Sequence, residues 1–141
     1  MSTKVIHSTL EDYAKAYCAK DIDSLMHVFD DTDSISVIGT GADELCVGQT
    51  EVRELFLRNF NEATANKFEW DWLDTRASEN HAVVSAKLTI HLDYKGEQLT
   101  VPIRWTIVLK MKNNRWVWIH RHASTAAINQ DEGQAYPKDS N

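Results

Sequence analysis

The stretch RWTIVLKMKNNRWVWIHRHAS, residues 104–124, decides the fold. Apolar and polar residues alternate through it and the alternation breaks at Asn113-Asn114, which is the pattern of two β-strands joined by a tight turn. The construction of that turn decides which side chains share a face. A two-residue turn pairs odd positions of the first strand with even positions of the second. A three-residue loop, with Asn114 in the left-handed region completing a bulge, pairs odd with odd. The longer loop separates the chemistry cleanly. It puts Ile103, Trp105, Ile107, Leu109, Met111, Val117 and Ile119 on one face, and Arg104, Thr106, Lys110, Trp116, Trp118, His120, His122 and Ser124 on the other. One uniformly apolar face is what helices can cover, so the odd face is expected to be the concave interior.

The period of two begins at Phe68 and is punctuated by Ser78-Glu79-Asn80, Lys95-Gly96-Glu97 and Asn113-Asn114, predicting four antiparallel strands joined by hairpins. Pro102 falls within one of them and predicts an edge, a bulge or a bend. Upstream the spacing is helical. Ile6, Leu10, Tyr13 and Tyr17 form one stripe, with a start at Ser2 or at the capping box Ser8-Thr9-Leu10-Glu11. Asp21 caps a second, short helix carrying Ile22, Leu25, Met26 and Phe29, and a third carries Val52, Leu55, Phe56 and Phe60. Between them, residues 34–38 and 44–47 read as a small strand pair around the loop Gly39-Thr40-Gly41-Ala42-Asp43. One domain over 3–125 follows, with a polar tail over 126–141.

Composition narrows the function classes. A chain of 141 residues with 43% apolar and 26% charged residues fits one globular core. A formal charge of -6 without a clustered basic face argues against nucleic acid and acidic membranes as partners. No apolar run approaches a membrane span, and two cysteines, Cys18 and Cys46, suit reduced thiols in the cytoplasm.

The order helix, helix, strand pair, helix, four-stranded meander resembles the nuclear transport factor 2-like superfamily. The run Ile38-Gly39-Thr40-Gly41-Ala42-Asp43-Glu44 followed by Gly48 is similar to SnoaL-like proteins, as are Arg104-Trp105-Thr106, Trp116 and Ile119-His120-Arg121-His122-Ala123-Ser124. The terminal run also resembles the association (hub) domain of calmodulin-dependent kinase. The resemblance implies an α+β, cystatin-like fold: a cone-shaped, curved antiparallel sheet with three N-terminal helices packed on its concave face. It implies no single activity, because such folds serve isomerases, cyclases, adaptors and assembly hubs.

Individual positions sharpen the expectation. Tyr13 aligns with the oxyanion-stabilising tyrosine of ketosteroid isomerase and is the candidate catalytic donor, but Val37 stands where that enzyme has its carboxylate base and cannot accept a proton. The pocket arginines of the hub domain align with Ile107 and Ala123, both apolar, so a cavity lined by Tyr13, Tyr17, Phe60, Trp105, Ile107 and Ile119 is expected to take a small apolar molecule. Arg121 stands at its mouth as a substitute cation. His120 and His122 share a strand face at a spacing that suits a metal or a proton relay, with His81, His91 and Asp93 as third-ligand candidates; interface histidines without metal are the expected reading. Trp116 and Trp118, beside Trp70 and Trp72, would leave a large exposed apolar patch on the even face. That patch predicts a sheet-to-sheet homodimer through Arg104, Thr106, Trp116, Trp118, His120 and His122, an arrangement common among the proteins this chain resembles. A homodimeric binding protein without cofactor is therefore the leading expectation. An isomerase-like or cyclase-like enzyme on a polyketide-like or steroid-like substrate, and an assembly or adaptor module, are the alternatives.

Overall fold

Helix α1 (Thr3–Cys18) buries Ile6, Leu10 and Tyr13 along the stripe that helical spacing dictates. The structure, a computed structural model, describes residues 3–138. Ser8 lies inside α1 with its hydroxyl on the Val5 carbonyl, 2.6 Å, so the capping box there does not start the helix; Ser2 lies outside the described residues. Helix α2 (Ile22–Val28) begins at Asp21, whose carboxylate accepts the Ser24 backbone N–H at 3.1 Å. Strands β1 (Ser36–Ile38) and β2 (Leu45–Val47) flank the glycine loop, and α3 (Gly48–Glu62) buries Val52, Leu55, Phe56 and Phe60. The meander is β3 (Thr64–Ala77), β4 (His81–Tyr94), β5 (Glu97–Lys112) and β6 (Arg115–Ser124).

The six strands run in the order β2-β1-β6-β5-β4-β3. The meander is antiparallel, but β1 joins β6 in parallel, so the sheet is mixed rather than antiparallel throughout. Bulges in β3, at Ala65/Lys67 and Trp70/Trp72, add the local bend that lets a sheet wrap around helices. Pro102 pairs with Thr89 of β4 but lies past the end of β6, where the second edge of β5 is open and its missing N–H is tolerated.

The hairpin between β5 and β6 corrects the expected faces. Lys112 pairs with Arg115, so the turn is the two-residue kind, with Asn113 at φ 52° and Asn114 at φ 62°, the left-handed pair that matches the twist of the strands. The register is therefore odd with even at first: Met111 faces Trp116 and Leu109 faces Trp118. A bulge then inserts Ile119, after which Ile107 pairs with Arg121 and Trp105 with Ala123, odd with odd. Trp116 and Trp118 consequently lie inside and are buried, at 3% and 0% exposure, rather than on the outer dimer face. Trp70 also turns inward, its indole donating to Glu11 at 2.7 Å.

Asp30 pins this bulge. Its backbone N–H donates to the Trp118 carbonyl at 2.9 Å, and Phe29 bridges Trp118 in parallel. Its carboxylate is fully buried and takes Lys112 Nζ at 2.7 Å, Lys110 Nζ at 3.3 Å and the Thr32 hydroxyl at 2.8 Å. Burial pushes the Asp30 carboxyl up, yet the two lysines and Thr32 outweigh it and hold the group well below the usual carboxylate range. The end of α2 is thereby tied to β5 and β6 at the point where the face parity changes.

Candidate functional site

Between the helices and the concave face of β4, β5 and β6 lies an open cavity of about 480 Å³. Tyr13 and Tyr17 reach it from α1, Trp105 from β5 and Arg121 from β6, while Glu44 and Arg58 stand among its lining residues from the β1–β2 loop and α3. Exposure sorts these groups by depth. Arg121 is 7% exposed and Tyr13 1%, whereas the side chains of Arg58 and Asp43 are 53% and 71% exposed, so the former pair mark the base and the latter the mouth.

Arg121 is the anomaly of the interior. Its Nη1 donates to the Tyr13 hydroxyl oxygen at 2.8 Å, and its guanidinium lies 5.1 Å from the Trp105 ring centroid. Its Nε is buried with no hydrogen-bond partner, and among the described residues no carboxylate forms an ion pair with it. A buried cation in this state is costly. Register explains how it came there. Arg121 sits directly across from Ile107 and two residues before Ala123, so the charge missing from both of those positions reappears between them on the same inner face.

Tyr13 is enclosed by rings, stacked on Trp118 at 5.0 Å and on Tyr17 at 5.7 Å. Burial raises its phenol above the ordinary value, against the opposing pull of Arg121. Tyr17 is raised too, first by burial and then by Tyr13, against Arg121 and a hydrogen bond with Asn59. Both phenols are therefore neutral at pH 7. Since Tyr13 accepts from Arg121, its own proton is available to a further acceptor.

The mouth is built on the glycine loop. Glu44 folds back so that Oε1 accepts the Gly41 N–H at 2.7 Å while Oε2 takes Arg58 Nη2 at 3.1 Å. A Cβ at Gly39 or Gly41 would fall 2.5 or 2.8 Å from that same Oε1 and displace the carboxylate. Arg58 also donates to Asp43 at 2.8 Å, and this bond holds the Asp43 carboxyl below its ordinary range.

Of the residues expected to line the cavity, Tyr13, Tyr17, Trp105 and Arg121 do so. Phe60 is buried behind Tyr17, with ring centroids 5.3 Å apart, and Ile107 is fully buried core. Ile119, the bulge residue, is half-buried and not part of the lining. Arg121 belongs to the base rather than the mouth, so the cavity is not apolar throughout. The sequence reading missed Arg58, Asn59 and Phe68; a regular helix pattern in α3 gave Arg58 no distinction from a solvated arginine. Outside the cone, His120 and His122 share the outer face with ring centroids 6.3 Å apart, and His120 Nδ1 bonds the Ser36 hydroxyl at 2.7 Å. No group of three metal-ligating residues forms among the described residues, and His91 bonds Glu69 instead. Arg104 and Thr106 are on the same outer face, Arg104 Nη2 donating to the Thr125 carbonyl at 3.1 Å. A larger open depression, about 650 Å³, runs between α1, α2 and the turn at Asn114, but it holds no buried unpaired group.

No helix is long and apolar enough to cross a membrane among the described residues. Searches of solved structures return the same fold at low identity. A protein from Xanthomonas campestris described as an association domain of calcium/calmodulin-dependent protein kinase II superposes with a TM-score of 0.80 at 15% identity, covering 91% of this chain and 90% of that one. A ketosteroid isomerase-like protein from Erwinia carotovora atroseptica gives 0.70 at 19% identity, over 86% and 93%. A nuclear transport factor 2-like protein of unknown function from Shewanella oneidensis gives 0.69 at 20%, over 89% and 100%. No curated protein matches the sequence. The family model of the SnoaL-like domain matches residues 6–128, from α1 to beyond β6, and the chain belongs to that family, within the nuclear transport factor 2-like superfamily.

Proposed function

We propose that this protein binds a small organic carboxylate in its cone. The observation that carries this reading is Arg121, a buried guanidinium with one unpaired N–H and no counter-ion among the described residues, beside a phenol that accepts from it and has its own proton to offer. An anion entering the cavity recovers the Coulomb energy that burial otherwise forfeits, and charge-assisted hydrogen bonds from guanidinium and phenol fix its orientation. The volume is within the range of small-ligand sites. A neutral apolar ligand would offer Arg121 no acceptor for its unpaired N–H. Isothermal titration with hexanoate and with hexanamide tests this: the carboxylate is expected to bind and the amide not, and Arg121→Gln should abolish the difference. Equal affinity for both compounds, or carboxylate binding undiminished in Arg121→Gln, overturns the reading.

A second reading concerns assembly. On the outer face Leu45 and Val47 are each 66% exposed, Trp72 56% and Val83 39%, around the pair His120 and His122. This face is the better candidate for sheet-to-sheet pairing with a second copy, and Arg104, Thr106, His120 and His122 keep their place in it. Trp116 and Trp118 leave it.

A further inference from the structure

The charge pattern from base to mouth narrows the ligand beyond a carboxylate. At the base stands Arg121, with no ion pair to a carboxylate among the described residues. The mouth reverses the sign: Asp43, Glu44 and Glu62 line it with Arg58 as the one cation. That arginine already faces two carboxylates, Nη1 on Asp43 at 2.8 Å and Nη2 on Glu44 at 3.1 Å, so its single positive charge is more than balanced. Glu44, with its side chain 15% exposed, is fixed over the opening by Gly41 and Arg58. Between the two ends the β4 and β5 wall is apolar, through Ile90, Val101 and Ile103.

We infer that the mouth acts as a charge filter, so that the cone takes monocarboxylates whose trailing end is neutral or cationic and turns dicarboxylates away. This rests on the carboxylate reading of Arg121. A ligand that places its first carboxylate on Arg121 and its apolar body along β4 and β5 carries its far end to the acidic rim. A second carboxylate there meets three carboxylates against one cation that is already paired twice, whereas an ammonium meets a net unlike charge. Asp43 and Glu62 on the rim are exposed and the base is buried, so salt discriminates between them. Added salt screens the mouth and leaves the Arg121 contact largely intact.

The test is isothermal titration of the full chain with 6-aminohexanoate, hexanoate and adipate, three six-carbon probes, at low salt and in 0.5 M sodium chloride. We expect 6-aminohexanoate to bind at least fivefold tighter than adipate at low salt and the ratio to narrow in high salt. Glu62→Lys, which reverses one rim charge and leaves Arg121 in place, should shift the ratio at least threefold toward adipate. Adipate binding as tightly as 6-aminohexanoate in the unaltered protein, or a ratio that Glu62→Lys does not move, overturns the filter while the hexanoate titration still supports the base. If hexanoate itself fails to bind, the reading of Arg121 falls and the filter with it.

Discussion

Arg121 carries a positive charge to a place where burial penalises it and no carboxylate among the described residues pairs with it. Such groups are retained at sites more readily than in cores, because an unpaired buried charge carries an uncompensated desolvation penalty, and even buried ion pairs are often less stable than apolar residues of similar volume by about 1–4 kcal/mol. Arg121→Met is accordingly expected to raise the unfolding free energy in urea by about 1 kcal/mol or more while removing carboxylate binding. Tyr13→Phe should act in the opposite direction. The hydroxyl it removes is the hydrogen-bond acceptor for a buried guanidinium, and bonds to charged groups contribute about 1.5–3 kcal/mol. Because the two residues share one bond, the effects should not add: in an Arg121→Met background, Tyr13→Phe should cost less than about 0.5 kcal/mol. A destabilisation of several kcal/mol by Arg121→Met alone would make the arginine a structural residue and remove the case for a ligand.

At the scale of elements, the bulge at Ile119 decides that Arg121 faces inward and that His120 and His122 face outward. Asp30 holds that bulge through the Trp118 carbonyl and through Lys110 and Lys112 of β5. The lysines are about one-third exposed, but Asp30 is fully buried, so losing both cations strands a carboxylate without compensation. The double variant Lys110→Met, Lys112→Met is expected to lose about 3–5 kcal/mol in chemical denaturation at pH 7. A loss below about 1 kcal/mol would show that the pin contributes little. The sign of the pH dependence follows from the depressed carboxyl. Its stabilisation is complete above the ordinary aspartate value of about 3.9 and is lost as pH falls below it. Much of this architecture was legible beforehand, because alternation over β3, β4 and β5 and helical stripes in α1, α2 and α3 are set by burial itself. The face of β6 was not. Trp116, Val117 and Trp118 are all buried, so the apolar pattern has no phase there, and Asn113-Asn114 suits either turn. The parity change depends on a contact from Asp30, far upstream in the chain, which no local pattern records. The cavity suffered the same blindness: Tyr13, Tyr17 and Trp105 were found from their stripes, while the meaning of Arg121 depended on which way one bulge turned it.

For the whole molecule the open question of scale is the outer face, where a second copy is expected to cover Leu45, Val47, Val83 and Trp72. His120 lies among them, and burial first, then His122 and Arg121, lower its pKa, with Ser36 opposing. The other charged groups on this face include Arg104 and Lys110 on β5, Lys87 and Asp93 on β4, and on β3 the carboxylates Glu69, Asp71 and Asp74 with Lys67 and Arg76, of which Lys67 pairs with Glu69 and Arg76 with Asp74; His81 and His91 also titrate there. Pairing that buries His120 beside Arg104 and Lys87 depresses its pKa further in the dimer than in the free chain. The dimer then binds fewer protons than two separated chains, so it is favoured above the ordinary histidine value of about 6.5 and weakens as pH falls through it. Light scattering coupled to size exclusion at pH 8 and pH 6 measures this on the safe side of a pI near 5.4. The expected result is a dimer at pH 8 whose dissociation constant rises at least threefold at pH 6, with the dependence flattened in His120→Gln. Replacing Val47 and Leu45 by Lys on the exposed edge strand should give a monomer at both pH values while leaving the cone and its carboxylate affinity in place. A monomer at pH 8 in the unaltered protein would sink the interface; a dimer that tightens with acid would reverse the sign and sink the role given to the histidines.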